Sequence, residues 1–401
     1  MQPSSFASAL STNPTISGVV EEICAQLHQF STARPDLLTV FFSPDFLEQA
    51  DEISEALRSR LQPRCLMGCC GESIIGTGRE IEQRPAISVL AGSLPGSTMT
   101  PMHLQFERSA DGNAIVGWPE EFDSVLALDS AAATSSLILL ADPFSFPTDV
   151  LLERINEDWP HVRISGGVAS GCPAPGDARI LLNERVHTEG AVAIHMSGQP
   201  KQSTIVSQGC RPIGQPLVIT QAEQNEICQL GGRPALLQLK EIFDRLPTSD
   251  QQKVQSGLHI GRVVNEYQDD FEQGDFLIRN VMGIDPQSGR IAVGDYFRAG
   301  QTVQFQIRDE ASADAEMAQL LVAKKKDNAM VPAAGLLFSC NGRGTRMFSV
   351  DHHDAGLIQQ KLGEIPLAGF FAAGEIGPVG GKNYLHGFTA SLLLFQNPTG
   401  S

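Results

Sequence analysis

Three segments of this chain repeat one order of elements: an apolar strand, an amphipathic helix and a second apolar strand that is predicted to end at a glycine. The first strand lies 30 residues before that glycine in the first copy (Leu38 to Gly68), 29 in the second (Leu137 to Gly166) and 32 in the third (Leu337 to Gly369). A glycine-rich loop and a further apolar strand follow in each copy. Short strands that are apolar throughout are typical of sheets buried on both faces. The sequence therefore predicts an α/β fold in which repeated β-α-β-β units form layered sheets covered by helices.

The segments outside the three copies set the expected domain boundaries. The stretch from Gly198 to Gly214 is rich in Gln, Ser, Gly and Pro, which is typical of a boundary between domains. We expect two domains, at 33–200 with the first two copies and at 215–396 with the third, after a helical lead-in at 1–32. The sequence does not decide whether a degenerate fourth copy lies between the second and third.

The composition restricts the class of protein and the kind of partner. Of the 401 residues, 42% are hydrophobic and 19% are charged, which is the balance of a globular protein. The chain has neither an apolar run of about 18 residues nor a secretion signal, so we expect a cytoplasmic protein without a membrane span. A net charge of −17 without a basic stripe repels phosphate backbones. Nucleic acid is therefore not an expected partner.

The eight cysteines are irregularly spaced and include no Cys-x-x-Cys pair. In a chain without a secretion signal, this pattern predicts reduced thiols rather than a disulfide framework. Cys65, Cys69 and Cys70 lie close together, but no histidine or second pair accompanies them. We therefore predict buried small side chains there and no metal site.

Polar residues between the last two apolar segments, at 374–389, form the main candidate site. These residues are predicted to be a loop held between two core strands. Arg343 follows the first strand of the third copy, and the carboxyl ends of parallel neighbours meet at one edge of a sheet. We therefore expect Arg343 to converge on one cleft with the other candidates, which are Glu375, Lys382, Asn383, His386 and Thr389.

The chemistry of this cleft suits an amino acid. Arg343 offers a planar fork of donors for a carboxylate, and Glu375 can accept hydrogen bonds from an ammonium group. Two alternatives stay open: Arg343 forms a structural salt bridge, with Glu375 for example, and His386 is a hydrogen-bonded core residue.

The glycine-rich loop of the first copy adds Cys69, Glu72 and Ser73 to the candidate binding residues. Cys69 or Cys70 beside Glu72 and Ser73 also raises the alternative of a cysteine nucleophile. A nucleophilic cysteine needs a histidine, a cation or a helix N-terminus to lower its pKa, and no histidine accompanies this loop. No catalytic residue is assigned, and an enzyme is the less favoured interpretation.

Three motifs together carry a family resemblance: Gly-Cys-Cys-Gly-Glu-Ser at 68–73, Phe-Ser-Cys-Asn-Gly-Arg-Gly at 338–344, and the Gly-Glu-Ile-Gly-Pro to Asn-Tyr-Leu-His-Gly-Phe-Thr-Ala stretch at 374–390. The chain resembles FIST proteins, which join an N-terminal and a C-terminal FIST domain, over residues 33–395. The resemblance implies an intracellular sensory module that binds small ligands such as amino acids. Members of this family are often fused to signalling outputs or an F-box, and this chain has no room for either. The resemblance therefore implies signalling through a separate partner.

Two further functions remain as alternatives to small-ligand sensing. Some family members are haem proteins that sense nitric oxide, and a haem needs an axial ligand such as His103, His386 or a cysteine. No Cys-x-x-Cys-His attachment motif is present, and no cofactor is predicted. A protein-binding assembly factor is the other alternative.

Overall fold

The computed structural model describes residues 3–30, 34–109, 112–120, 122, 135–268, 271, 274–326 and 330–398. The chain divides into two compact units. The larger unit comprises Met1–Val206 and Leu320–Ser401, and the smaller unit comprises Ser207–Gln319. All three predicted copies lie in the larger unit, and the smaller unit lies between the second and third copies in the sequence. The domain limits at 33–200 and 215–396 stay a prediction.

The elements follow the predicted order in each copy. The lead-in and first copy contain β1 (Ser5–Ser11), α1 (Ile16–Gln26), β2 (Leu37–Phe42), α2 (Ala50–Leu61), β3 (Cys65–Cys70), β4 (Ile74–Gly76), β5 (Arg79–Ile81) and β6 (Ile87–Ser93). The connection and second copy contain β7 (Ser97–Ser109), β8 (Gly112–Val116), β9 (Ser136–Ala141), α3 (Thr148–Asp158), β10 (Arg163–Val168), β11 (Ile180–Leu182), β12 (Arg185–His187) and β13 (Ala191–Gly198).

The rest of the chain contains the smaller unit and the third copy. After β14 (Lys201–Ser207) come β15 (Cys210–Glu223), β16 (Glu226–Leu230), β17 (Arg233–Pro234), α4 (Ala235–Arg245), α5 (Thr248–Ser256), β18 (Leu258–Val263), β19 (Phe276–Asp285), β20 (Arg290–Val293), β21 (Thr302–Arg308) and α6 (Glu310–Lys325). The third copy contains β22 (Met330–Cys340), α7 (His353–Leu362), β23 (Leu367–Ala372), β24 (Gly374–Val379), β25 (Lys382–His386) and β26 (Ala390–Pro398).

The three copies share one topology, which confirms the predicted α/β fold of repeated units. In each copy the strands before and after the helix are parallel neighbours: β2 with β3, β9 with β10, and β22 with β23. The closing strand then pairs antiparallel with the first strand of its copy. The apolar face of each helix is buried, as at Ile53 and Leu57 of α2 and Ile155 of α3.

The structure places the recurring glycine of each copy inside the second strand rather than at its end, and its presence has one physical reason in all three copies. A β-carbon on Gly68, Gly166 or Gly369 would lie 1.9, 1.8 and 1.9 Å from a backbone carbonyl oxygen of the parallel first strand. The residues that provide these carbonyl oxygens are, respectively, Val40, Leu139 and Leu337. Only a residue without a side chain allows the two backbones to lie this close.

Replacing Gly68 with alanine should therefore destabilise the protein by about 1–3 kcal/mol, because the parallel strands must move apart to admit the methyl group. Urea denaturation would show a lower midpoint with an unchanged slope. Gly356→Ala is the matched control, since nothing lies within 4 Å of a β-carbon at that position of α7. Alanine there should stabilise the helix by about 0.5–1 kcal/mol. Equal effects of the two substitutions would contradict this explanation.

The small hairpin of each copy joins the sheet of another copy. The three sheets of the larger unit have the orders β1-β6-β2-β3-β11-β12, β8-β7-β13-β9-β10-β24-β25 and β14-β26-β22-β23-β4-β5. The hairpin of the first copy therefore extends the sheet of the third, that of the second extends the first, and that of the third extends the second. This cyclic exchange links the three copies into one compact unit.

Aromatic rings from two copies form the centre of the largest apolar cluster. The ring centroid of Phe41 lies 5.2 Å from that of Phe370 and 6.3 Å from that of Phe338. The second copy contributes Gly167, where a β-carbon would lie 3.0 Å from the Phe370 ring. Each such buried ring stabilises the fold by about 1.5–3 kcal/mol.

The smaller unit has a different architecture. Its sheet has the order β15-β21-β18-β19-β20-β16-β17, and its described residues pair only antiparallel. Its core includes Ile219, Leu239, Ile260 and Phe305. Because each copy in the larger unit contains a parallel strand pair, the described part of the smaller unit is not a fourth copy.

The sequence indicated only a helix in the lead-in, whereas the structure also contains β1, a strand that pairs with β6 and in which five of seven residues are Ser or Ala. Its composition gave no strand signal, and its place is determined by the neighbouring strand. In the described part of the chain, we find no helix that is long and apolar enough to span a bilayer.

Candidate functional site

Arg343 forms a buried ion pair with Asp354 at the start of α7. Its Nε and Nη2 donate to the two carboxylate oxygens of Asp354, each at 2.7 Å. Both side chains are almost completely buried, with 0% and 1% of their surface exposed. The guanidinium carbon also lies 5.1 Å from the ring centroid of Phe348. The guanidinium fork that was predicted to hold a ligand carboxylate therefore binds Asp354. This contact is the structural salt bridge that the sequence left open as an alternative, with Asp354 as the partner in place of Glu375.

The Asp354 carboxylate is held in its charged form. Burial alone would raise its pKa, but the charge of Arg343 and its hydrogen bonds outweigh burial, so the pKa lies well below its usual range. Ser339 Oγ also donates to Asp354, at 2.9 Å. The pair therefore stays ionised throughout the physiological pH range.

Glu375 lies in β24 and is bound to Thr389, and both were predicted to lie in one cleft. Its Oε2 accepts hydrogen bonds from the Thr389 backbone N–H and Oγ1, both at 2.9 Å. Burial raises the pKa of Glu375 to about 8, although the Thr389 bonds, the Cys340 thiol and the charge of Arg343 each lower it. At neutral pH this carboxyl is largely protonated.

Glu80 is a second buried carboxyl at this place, and it was not among the residues predicted from the sequence. It lies in β5 of the first copy, and its Oε1 accepts from the Ala355 backbone N–H at 2.8 Å. Burial, followed by the negative charge of Asp354, raises the pKa of Glu80 to about 8. Because glutamates are rarely buried, no sequence signal marks it. We call Arg343, Asp354, Glu80 and Glu375 the buried charge cluster.

His386 and Asn383 lie on opposite faces of β25. His386 is the cross-strand partner of Glu375, and its Nε2 lies 3.0 Å from the Gly377 carbonyl oxygen. Asn383 instead binds the second copy: its Nδ2 donates to the Val162 carbonyl oxygen at 2.9 Å. Residues 374–389 were predicted to be a loop, but they mainly form the β24–β25 hairpin. In a strand, two side chains three positions apart point to opposite faces.

The remaining polar contacts of Asn383 also join β25 to the second copy. Its Oδ1 accepts from the Ile164 N–H at 2.9 Å, and its Nδ2 also donates to Asn156 Oδ1 at 3.1 Å. Lys382 lies exposed at the start of β25. The structure thus brings Arg343, Glu375 and Thr389 together, with His386 opposite Glu375, and it places Asn383 and Lys382 elsewhere.

The three candidate residues of the first copy also differ in burial and in their partners. Cys69 lies fully buried in β3, and burial raises its pKa well above the usual range, which disfavours a nucleophilic thiolate. Glu72 is partly exposed and forms an ion pair with Arg346. Ser73 is buried, and its carbonyl oxygen accepts from the Phe371 N–H at 2.9 Å.

A polar pocket of about 420 Å³ lies elsewhere in the larger unit, at the starts of β9 and β10. Its lining residues are Ser135, Ser136, His161, Arg163, Ser165, Gln202, Ser203, Thr204, Pro378 and Leu393. They come from β9, β10, β14, β24 and β26 and from the segments just before β9 and β10. No sequence signal marks this pocket, because isolated hydroxyl residues at strand ends carry no recognisable spacing.

Hydroxyl groups determine the chemistry of this polar pocket. Ser136 Oγ donates to Gln202 Oε1 at 2.5 Å, and the hydroxyl oxygens of Ser165 and Thr204 lie 2.6 Å apart. The Ser203 hydroxyl is buried and has no hydrogen-bond partner among the described residues. Such groups can each donate or accept a hydrogen bond to a bound molecule.

Arg163 gives the polar pocket a positive charge. Its Nη1 donates to the Pro160 carbonyl oxygen at 2.6 Å, and within the described ranges it forms no ion pair with a carboxylate. None of the described lining residues is acidic. The pocket is therefore a positively charged site on a chain whose net charge is −17.

The candidate axial ligands for a haem have other contacts. His386 is buried beside Gly377, and His103 stacks on His187 with ring centroids 3.7 Å apart. Neither lines the polar pocket. Among the residues that the structure describes, no group of three His, Cys, Asp or Glu side chains is placed to hold a metal ion.

Comparisons with known proteins agree with the resemblance in the motifs. Family models match the chain as an FIST N domain at 36–233 and an FIST C domain at 235–378. An uncharacterized protein of Mycobacterium tuberculosis is 42% identical over 388 residues, which cover 96% of this chain and 98% of that protein. An uncharacterized protein of Mycobacterium bovis is 42% identical over 363 residues, covering 90% of each chain.

A comparison with solved structures adds a distant similarity. A cyanuric acid hydrolase from A. caulinodans aligns with a TM-score of 0.33 and 9% identity, covering 99% of this chain and 100% of that one. A similarity this low supports no conclusion about function. The family models, by contrast, match nearly all of the chain, and relatives of 42% identity span 90% or more of it. The chain therefore belongs to the FIST family and carries its N domain followed by its C domain.

Proposed function

We propose that this protein is a sensory protein that binds a small anion, such as an amino acid or a related carboxylate, in the polar pocket. FIST domains are generally regarded as small-ligand sensory domains in signal transduction. The observation that carries the proposal is Arg163, a cation without a carboxylate partner among the described residues, beside hydroxyl groups in a pocket of about 420 Å³. Pockets for small molecules usually measure about 300–1,000 Å³.

The pocket provides groups for both ends of an amino acid. The Arg163 guanidinium can donate two parallel hydrogen bonds to a carboxylate. The hydroxyl oxygens of Ser203 and Thr204 can accept from an ammonium group, and Leu393 provides an apolar surface for a side chain. The buried charge cluster suits this role less well, because its arginine already binds Asp354 through the same fork.

Replacing Arg163 with alanine should weaken binding by about 1.5–3 kcal/mol, roughly ten- to a hundredfold, because a charged hydrogen bond to the ligand is lost. Titration calorimetry with a panel of amino acids and small carboxylates measures this loss. Thr204→Val, which removes one hydroxyl and keeps the side-chain shape, should weaken binding by about 0.5–1.5 kcal/mol.

The matched control is Arg154→Ala, which removes an arginine on α3 whose partner is Asp158, outside the pocket. It should leave the affinity unchanged. If no member of the panel binds, or if Arg163→Ala and Arg154→Ala bind equally well, the proposed site is wrong.

We further propose that the signal passes to a separate protein partner, because FIST domains are generally regarded as sensory domains in signal transduction. Affinity purification with and without the bound anion tests this step. A partner whose yield changes with the ligand supports it, whereas a ligand-independent set of proteins contradicts it.

A further inference from the structure

A serine and a histidine meet at the wall of the polar pocket. Ser135 lies just before β9 and lines the pocket, and His195 lies in β13. The Ser135 hydroxyl oxygen lies 2.8 Å from His195 Nε2, which is a hydrogen-bond distance. Only 5% of Ser135 and 1% of His195 is exposed. The contact therefore joins a hydroxyl that lines the pocket to a fully buried imidazole.

The register of the sheet brings these two residues together. β13 pairs with β9, and His195 lies opposite Leu137. Ser135 precedes Leu137 by two positions, so in an extended chain both side chains point to the same face of the sheet. A diagonal cross-strand neighbour is within reach of a side chain as long as that of histidine. β13 also pairs with β7 on its other side, so His195 is held in a central strand.

Aromatic packing fixes the ring of His195. Phe122 contacts this ring in a T-shaped arrangement with centroids 5.4 Å apart, and Trp118 stacks on Phe122, also at 5.4 Å. Trp118 Nε1 in turn donates a hydrogen bond to the Ile115 carbonyl oxygen at 2.9 Å. A reactive group needs neighbours that lock its orientation. The packed ring therefore keeps Nε2 in place beside Ser135.

This arrangement suits a nucleophilic serine. In a neutral histidine with its proton on Nδ1, Nε2 can accept the Ser135 proton. A serine hydroxyl is a weak nucleophile until a base at about 2.6–3.2 Å takes its proton. Two neighbouring serines of the pocket have other partners, since Ser136 donates to Gln202 and Ser165 bonds Thr204. Ser135 has a base at the distance that nucleophilic catalysis requires.

We propose that Ser135 is the nucleophile and His195 the general base of an esterase activity in the polar pocket. The substrate is a half-ester of a small dicarboxylic acid, whose free carboxylate binds Arg163 while its ester group reacts with Ser135. For this choice of substrate, the activity rests on the anion site proposed above. The Ser203 hydroxyl, which is buried and has no partner among the described residues, donates to the oxyanion.

The reaction balances in two steps. Ser135 Oγ attacks the ester carbonyl carbon while His195 Nε2 takes the hydroxyl proton. A new C–O bond forms, the bond to the alkoxide breaks, and the alkoxide leaves as an alcohol with the proton from His195. Water then attacks the acyl-serine as His195 takes one of its protons, the bond to Ser135 breaks, and Oγ regains a proton. One ester and one water thus yield one acid and one alcohol.

Serine-directed labelling tests the nucleophile without any use of the anion site. A neutral fluorophosphonate should add one phosphonyl group per protein molecule, and peptide mass spectrometry should locate it on Ser135. This position is read from the wild-type protein, so it does not depend on the folding of a variant. A label on another residue, or no label, would overturn the proposal.

Two variants identify the base. His195→Gln keeps a polar side chain but cannot take the proton, so it should slow labelling by at least about a hundredfold. Ser59→Ala, at an exposed position of α2, is the control and should be labelled at the wild-type rate. Equal rates for His195→Gln and Ser59→Ala would contradict a general base at this position.

Two nitrophenyl esters test the substrate class. With nitrophenyl acetate, the wild-type protein should release a burst of about one nitrophenolate per molecule as the acyl-serine accumulates. The mono-nitrophenyl ester of succinic acid carries a free carboxylate and should react roughly tenfold faster than the acetate. Arg163→Ala should lose this preference.

The outcomes separate the esterase activity from the anion site. If Ser135 stays unlabelled while calorimetry still shows an anion bound through Arg163, the esterase activity is wrong and the anion site stands. If Ser135 is labelled but the two esters react at equal rates, the nucleophile stands and the carboxylate site at Arg163 is wrong.

Discussion

Replacing Arg343 with alanine should lower the free energy of unfolding by about 3–5 kcal/mol, because the Asp354 carboxylate is then left buried without its counter-charge. Asp354 has only 1% of its side chain exposed and takes two hydrogen bonds of 2.7 Å from Arg343. The remaining contacts, from Ser339 Oγ at 2.9 Å and from His353 Nδ1 at 3.0 Å, do not replace the two charged hydrogen bonds from Arg343. Chemical denaturation at neutral pH measures the loss.

Two further variants distinguish the cost of leaving Asp354 charged and unpaired from the cost of removing an arginine in general. Arg346→Ala, which removes an exposed partner of Glu72, should cost less than about 1 kcal/mol, since surface ion pairs contribute little. Adding Asp354→Asn to Arg343→Ala should recover part of the stability, because no charge then stays buried. If Arg343→Ala were as mild as Arg346→Ala, the buried ion pair would not be a structural element of the fold.

The second large effect is a fall in stability from mildly acidic to alkaline pH. Glu80 and Glu375 have pKa values of about 8 in the folded protein, against a usual value of 4.5. The folded state therefore binds protons that the unfolded chain releases. Their stabilising contribution is full below about pH 4.5 and is lost as the pH rises through about 8. Between about pH 6 and 9 the loss should be on the order of 5 kcal/mol for the two groups together.

Glutamine variants identify the carboxyls responsible. Glu80→Gln and Glu375→Gln cannot lose a proton, so each should flatten the decline of stability above pH 6, and the double variant should flatten it most. Glu157→Gln, at an exposed position of α3, should keep the wild-type slope. Urea denaturation at a series of pH values gives these slopes. A wild-type stability that stays constant from about pH 6 to 9 would show that neither carboxyl is protonated when folded.

Asp354 contributes a pH dependence of the opposite sign. Its pKa is lowered in the folded protein, so its contribution is full above the usual value of 3.8 and is lost as the pH falls below it. The protein should therefore be most stable at mildly acidic pH. The same denaturation series extended to lower pH tests this, and Asp354→Asn should remove the acid limb.

The sequence predicted more of the fold than of the candidate site. The spacings to Gly68, Gly166 and Gly369 have a physical origin in the parallel strand pairs, where a side chain would collide with a carbonyl oxygen. Such a local constraint can be recognised in a single sequence. The exchange of hairpins between copies cannot, because no local pattern states which sheet the β4–β5 hairpin will join.

This exchange explains why part of the buried charge cluster was missed. Glu80 reaches Asp354 only because the first-copy hairpin pairs with β23 of the third copy. The separation of Asn383 from His386 has a simpler reason. Once residues 382–386 form a strand, two positions three residues apart face opposite sides of the sheet. The polar pocket was missed because its hydroxyl residues come from segments far apart in the chain.

Native mass spectrometry of the purified protein tests the proposed ligand site most directly. The wild-type protein, given the tightest-binding anion from the calorimetric panel, should show an added mass equal to that of one ligand. The Arg154→Ala protein should show the same added mass, and the Arg163→Ala protein should lose it under identical conditions. An added mass of equal intensity in all three proteins would contradict binding in the polar pocket.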